Sequence, residues 1–234
     1  MEKLRIMSVF GTRPEAIKMA PLVKELAARR DIESICCVTA QHRQMLDSVL
    51  EVFRLTPDRD LDIMTPSQTL STITAKCLTG MDGAIDEMKP DMILVHGDTS
   101  TTFAGALSAF YHKVPVGHVE AGLRTYDKYS PYPEEMNRKL VTAIADLYFC
   151  PTENNRQNLL REGVTEGLFV TGNTVIDALQ TTVRPDFVFT TDILNRLPYG
   201  SKKVLLVTCH RRENYGQPME NIVSALAEIA RTHG

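Results

Sequence analysis

Seven short apolar runs alternate along the chain with stretches whose apolar residues recur every three or four positions. The runs fall at residues 5–10, 34–39, 92–96, 114–119, 147–150, 168–170 and 204–208. Several are rich in Val and Ile with little polar alternation, the pattern of strands buried on both faces. Helices are expected between and after them, at 14–30, 44–53, 70–88, 102–111, 134–145, 155–162, 175–181 and about 219–231. The first opens on Pro14 with Glu15 just inside, a helix-start signature. Alternation of strand and helix implies the α/β class: a doubly wound, Rossmann-like parallel sheet covered by helices.

The stretch "VRPDFVFTTDILNRLPYGSKK", residues 183–203, breaks this rhythm with two prolines, a glycine and mixed polarity. It reads as a connection between domains. Residues 1–182 then form one Rossmann-like domain. Residues 204–234 supply the first strand–helix unit of a second, incomplete one, because one strand and one helix cannot build a core.

Composition narrows the classes without choosing among them. Of the 234 residues, 43% are hydrophobic and 24% charged, ordinary for a globular protein. A net charge of −3 argues against charge-driven binding to nucleic acid. No apolar run approaches the roughly 18–20 residues of a membrane span. The opening "MEKLRIMSVFG" is too short for a signal peptide and runs into "TRPE" rather than a cleavage site. The five cysteines, at 36, 37, 77, 150 and 209, have no zinc-type spacing. They read as reduced, packed thiols of a cytoplasmic protein, with Cys36 and Cys37 on opposite faces of one strand.

In open α/β sheets ligands bind beyond the carboxyl ends of the strands. Here those ends carry Gly11-Thr12-Arg13, then "HGDTSTT" with His96 and Asp98, then "GHVEAGLRT" with His118, Glu120 and Arg124, and finally "TCHRREN" with His210, Arg211 and Arg212. "EEMNRKL" places Glu134 and Arg138 four apart on one helical face. Each has a plain structural role open to it: Asp98 as a helix N-cap, Glu134 with Arg138 as a surface pair, the two histidines as packed side chains. Their convergence on one edge of the sheet weakens coincidence. Arg13, at the positive end of a helix dipole, makes most sense where an anion visits. G-x-G-x-x-G, the P-loop, the G-x-S-x-G elbow and paired metal-binding histidines are all missing from the sequence.

Taken in order, "FGTRPEAIKMAPL", "TAQHRQML", "LVHGDT", "PVGHVEAGLRT", "YSPYPEEMNR", "VTGNTVIDAL" and "HRREN" resemble the non-hydrolysing UDP-N-acetylglucosamine 2-epimerases of bacteria. The resemblance implies the N-terminal half of a glycosyltransferase-B-like, two-domain architecture. It implies interconversion of UDP-GlcNAc and UDP-ManNAc for cell-surface polysaccharide precursors, through elimination of UDP to a 2-acetamidoglucal and its re-addition. Asp98, Glu120 and Glu134 match the family's catalytic acids and His210 its essential histidine. Arg13 and Lys18 would face the UDP diphosphate together with the helix N–H groups, Arg211 would contact substrate, and Arg138 would assist or orient Glu134. Gln41, His42 and Gln44 match a second site at which UDP-GlcNAc activates relatives. A homodimer and no cofactor or metal are implied. Two departures stand out: Ser67 replaces a basic residue before "QTL", and Cys209 precedes His210 where relatives more often carry Gly or Ala. The family's Ser-Gly-Gly…Glu-Glu segment is not in the sequence, which leaves two alternatives open: a hydrolysing epimerase releasing UDP and ManNAc, or an inactive fragment.

Overall fold

The structure is a computed structural model that describes residues 3–40, 43–209 and 214–233. It divides into two compact units, Met1–Val183 and Arg184–Gly234. The first contains the strands β1 (Leu4–Phe10), β2 (Ile32–Val38), β3 (Arg59–Asp60), β4 (Met92–His96), β5 (Val116–Val119), β6 (Leu147–Cys150) and β7 (Leu168–Val170). They form one parallel sheet in the order β3-β2-β1-β4-β5-β6-β7. Its helices are α1 (Arg13–Ala28), α2 (Arg43–Phe53), α3 (Leu70–Met88), α4 (Ser100–Tyr111), α5 (Glu134–Ile144), α6 (Glu153–Arg161) and α7 (Val175–Thr182). The Rossmann-like α/β class is as the pattern implied. Only the two-residue β3 was not foreseen, because an Arg-Asp pair carries no apolar run.

The apolar runs are continuous because helices cover both faces of the sheet. Ile6 and Phe10 face a core built with Met19 and Val23 of α1 and Leu46 and Val49 of α2. Met7 and Val9 face the opposite core, with Met81 and Ile85 of α3 and Ala106 and Ala109 of α4. Cys36 belongs to the first core and Cys37 to the second, as alternation on a strand requires. Burial pushes both thiols up to about 12, so they remain protonated packing groups.

Strand β1 pairs with β2 on one side and β4 on the other, so the chain order reverses between β1 and β4. The loops leaving these two strands part there and open a crevice at the carboxyl edge. Close packing of the neighbouring loop depends on Gly122, whose φ is +83°. A Cβ there would stand 2.2 Å from the Asn155 carbonyl oxygen. Gly122→Ala is therefore expected to cost about 1–3 kcal/mol of stability. Urea unfolding checks this; a loss below about 0.5 kcal/mol would show that the loop can retreat.

In the second unit, a short helix α8 (Asp192–Asn195) interrupts the expected connection, and α9 (Gln217–His233) covers the expected final helix. The strand expected at 204–208 is not formed: residues 203–209 have no regular structure. A strand is held by hydrogen bonds to a neighbour, and among the described residues none pairs with this run.

Candidate functional site

Glu120 directly follows β5 in the left-handed region, at φ +62°. That turn aims its carboxylate across the crevice at α1. Lys18 Nζ donates to both oxygens, at 2.6 and 2.7 Å, and Asn173 Nδ2 donates to Oε1 at 2.9 Å. His96 Nε2 lies 3.4 Å from Oε2. Burial alone would raise the Glu120 carboxyl. The Lys18 ammonium, which donates to both oxygens, and the Asn173 amide outweigh it and hold the pKa below its ordinary value. His96 itself is lowered to about 4 by burial, so it faces Glu120 as a neutral imidazole. The ammonium expected beside a diphosphate is here engaged with Glu120, the largely buried carboxylate within its reach.

Asp98 occupies the loop after β4. Its neighbour Thr99, not Asp98, caps α4, accepting from Thr102 N at 3.1 Å. The N-cap role open to Asp98 in the sequence is thus already filled, and its carboxylate receives Arg138 Nη2 instead. Asn137 Nδ2 donates to the Asp98 carbonyl at 2.8 Å. Arg138 Nη1 donates to Glu135 Oε2 at 3.2 Å. The i,i+4 pair expected between Arg138 and Glu134 is not made. Glu135 is fully buried, also accepts Thr125 N and Tyr126 N, and takes the guanidinium, whose charge offsets the cost of burying the carboxylate. Glu134, at the start of α5, keeps one buried carboxylate oxygen, Oε2, with no hydrogen-bond partner. It is the one carboxylate of the cluster with a buried oxygen still unpaired among the described residues.

Two side chains prominent in the sequence serve the frame. His118 is fully buried, and its Nε2–H donates to the Gly97 carbonyl at 2.7 Å. Burial lowers its pKa to about 4. Arg124, its side chain fully buried, forms a two-pronged pair with Glu162 at 2.8 and 2.7 Å.

At the mouth of α1, Gly11 N and Thr12 N donate to Glu15 Oε2 at 3.0 and 2.7 Å. These two N–H groups are satisfied by the chain's own carboxylate. The anion reading of this helix end therefore falls to the exposed Arg13 side chain rather than to that pair. Arg13 and Gln44 line one groove of about 560 Å³ between α1, α2 and α7, floored by Met45, Val52, Val175 and Leu179. Gln41, His42, His210 and Arg211 lie outside the described residues. Among the described residues, no cluster of three or more His, Cys, Asp or Glu could hold a metal, and no helix is long and apolar enough to cross a membrane.

Sequence reasoning missed Asn173, Glu15 and Glu135. Asn173 follows β7, so the strand-end rule could have found it. Glu15 could have been found as the N3 acid of a Thr12-x-x-Glu15 capping box, whereas Glu135 gives no such signal, because it sits beside Glu134 and only packing shows which of the two turns inward.

A doubly wound parallel sheet with carboxylates and cations along its carboxyl edge defines a Rossmann-like α/β domain. The comparisons with known proteins take this further. The family model for UDP-N-acetylglucosamine 2-epimerase matches residues 24–234. The UDP-N-acetylglucosamine 2-epimerase of Bacillus subtilis is 56% identical over 230 residues, covering 98% of this chain and 60% of that protein. The S. aureus MnaA structure, solved with UDP, superposes with a TM-score of 0.87 at 56% identity, covering 98% of this chain and 60% of that one. The Neisseria meningitidis UDP-GlcNAc 2-epimerase bound to UDP-GlcNAc gives 0.85 at 46% identity, covering 98% of this chain and 63% of that one. The chain belongs to the UDP-N-acetylglucosamine 2-epimerase family. It spans about 60% of the length of the curated relatives it matches.

Proposed function

We propose that the protein interconverts UDP-GlcNAc and UDP-ManNAc without hydrolysis, supplying precursors for cell-surface polysaccharide. A carboxylate takes the C2 proton, and the electron pair of that C–H bond becomes the C1=C2 double bond. The C1–O bond breaks and UDP departs with its electrons. Re-addition of UDP with protonation of C2 on the other face gives the epimer. The observation that supports this most is the convergence of Asp98, Glu120 and Glu134 on one sheet edge. Each is in a different state: paired with Arg138, held ionised by Lys18, and with a buried oxygen unpartnered. Groups whose environments differ in this way suit proton removal on one face and delivery on the other. Arg13 offers positive charge to the departing diphosphate, while His210 and Arg211 enter by resemblance to the family. In the same reading residues 204–234 open a second Rossmann-like domain and the protein works as a cytoplasmic homodimer. A second UDP-GlcNAc binds at Gln41, His42 and Gln44.

The test is incubation with UDP-GlcNAc in D2O, followed by NMR at C2. Deuterium at C2 with UDP-ManNAc appearing is the expected result. ManNAc with free UDP would move the assignment to a hydrolysing enzyme. No exchange by the protein at its full natural length would overturn the proposal.

A further inference from the structure

Glu15 has no part in the elimination step, yet its carboxylate is buried and hydrogen-bonded on both oxygens. It is 2% exposed. Oε2 receives Gly11 N at 3.0 Å and Thr12 N at 2.7 Å, on the turn that carries Arg13. Oε1 receives the Thr99 hydroxyl at 2.7 Å, on the turn that carries Asp98. A hydroxyl has one proton. Thr99 gives it to Glu15 and keeps its oxygen to accept Thr102 N at 3.1 Å, so the cap of α4 and the link to α1 share one atom. Thr102 Oγ1 lies 2.5 Å from the His96 carbonyl and 3.1 Å from Glu15 Oε1. No Lys or Arg pairs with Glu15 among the described ion pairs. Three neutral donors from two loops therefore converge on a pure acceptor.

We propose that Glu15 is a positioning residue: its carboxylate is the strut that fixes the turn bearing Asp98 against the turn bearing Arg13. The two turns lie on either side of the point where the strand order reverses. Adjacent strands β1 and β4 register through Val9 and Val95, and their ladder stops short of both turns. Beyond it, Glu15 is the side chain that, among the described residues, hydrogen-bonds to both turns. The inference rests on the epimerase reading, in which the group near C2 and the cation on the leaving diphosphate must act in one geometry. A misplacement of about 1 Å far from the reacting atoms can cost roughly 10²-fold in rate.

The replacements separate positioning from mere folding. Glu15→Ala orphans two backbone donors and releases Thr99. Glu15→Gln can still accept Gly11 N and Thr12 N on its oxygen, while its NH2 meets a Thr99 hydroxyl turned to accept. In the protein at its full natural length, Glu15→Ala is expected to lower kcat by about 10–100-fold with KM within about 3-fold. Glu15→Gln should recover about 10-fold of that loss. An unchanged kcat, or equal losses in the two variants, would overturn the proposal. If the wild-type protein does not turn over UDP-GlcNAc, the epimerase reading fails by itself, and amide hydrogen exchange decides the strut. Relative to Val95, the amides of Gly97 and Thr102 should exchange at least about 10-fold faster in Glu15→Ala. Unchanged protection there would overturn it.

Discussion

On the epimerase reading, and in the protein at its full natural length, replacing Glu120 with glutamine is expected to lower kcat for UDP-GlcNAc by about 10²–10⁴-fold while the protein stays folded. Shape is nearly conserved, and with its oxygen at the Oε1 position the amide still accepts from Asn173 and Lys18, while the second Lys18 bond, to Oε2, is lost. What disappears is the negative charge between Lys18 and His96. A proton acceptor at this position needs that charge. KM should change far less than kcat, because the loss falls on a group acting in the transition state. Steady-state kinetics settles it: activity within about 10-fold of wild type would remove Glu120 from proton transfer and leave Asp98 and Glu134 as the pair.

The second large effect is on stability and needs no substrate. His96 and His118 are buried and their pKa values lowered to about 4. In the unfolded chain each would titrate near about 6.5. Below that value the unfolded state binds protons that the folded state refuses, so stability falls with pH. The contribution is complete above about pH 6.5 and is lost as pH falls toward the folded value. Between pH 7 and pH 5 each imidazole should cost about 2 kcal/mol. Glu120, held below its ordinary value, gives stability that is lost only at still lower pH. Glu15, whose pKa burial raises, works in the opposite sense, its stability contribution growing as pH falls. His118→Gln keeps a donor for the Gly97 carbonyl and removes one titration, leaving Glu15 as it was. Unfolding free energies from urea titrations at pH 7 and pH 5 should therefore differ by about 2 kcal/mol less in His118→Gln than in wild type. Identical profiles would show that His118 is not titrating in this window.

The fold was legible in the chain because strands covered on both faces leave uninterrupted apolar runs, and residues 5–10 and 92–96 show this directly. Two places resisted. Strand β3 is held by backbone bonds to Cys37 and Val38 with no apolar signal of its own. Residues 204–208 have a strand's composition but no neighbour among the described residues, and composition cannot provide one.

Candidate site residues were legible by type and position. Asp98 and Glu120 follow from the rule that ligands meet parallel sheets at their carboxyl edge, and Glu134 from its helical spacing with Arg138 and the family resemblance. Their partners were not. The sequence offered Glu134 to Arg138 at helical spacing, and the structure gave Arg138 to Glu135 and Asp98. It offered Lys18 to a phosphate, and the structure set it on Glu120. Spacing along a helix fixes which residues share a face, but desolvation decides which carboxylate must be neutralised, and desolvation depends on what packs above it. The sequence by itself determined the alternating elements, their order and the chemistry at their ends. The tertiary structure alone decided which of two adjacent acids turned inward, because burial is a property of the assembled layers and not of the residue.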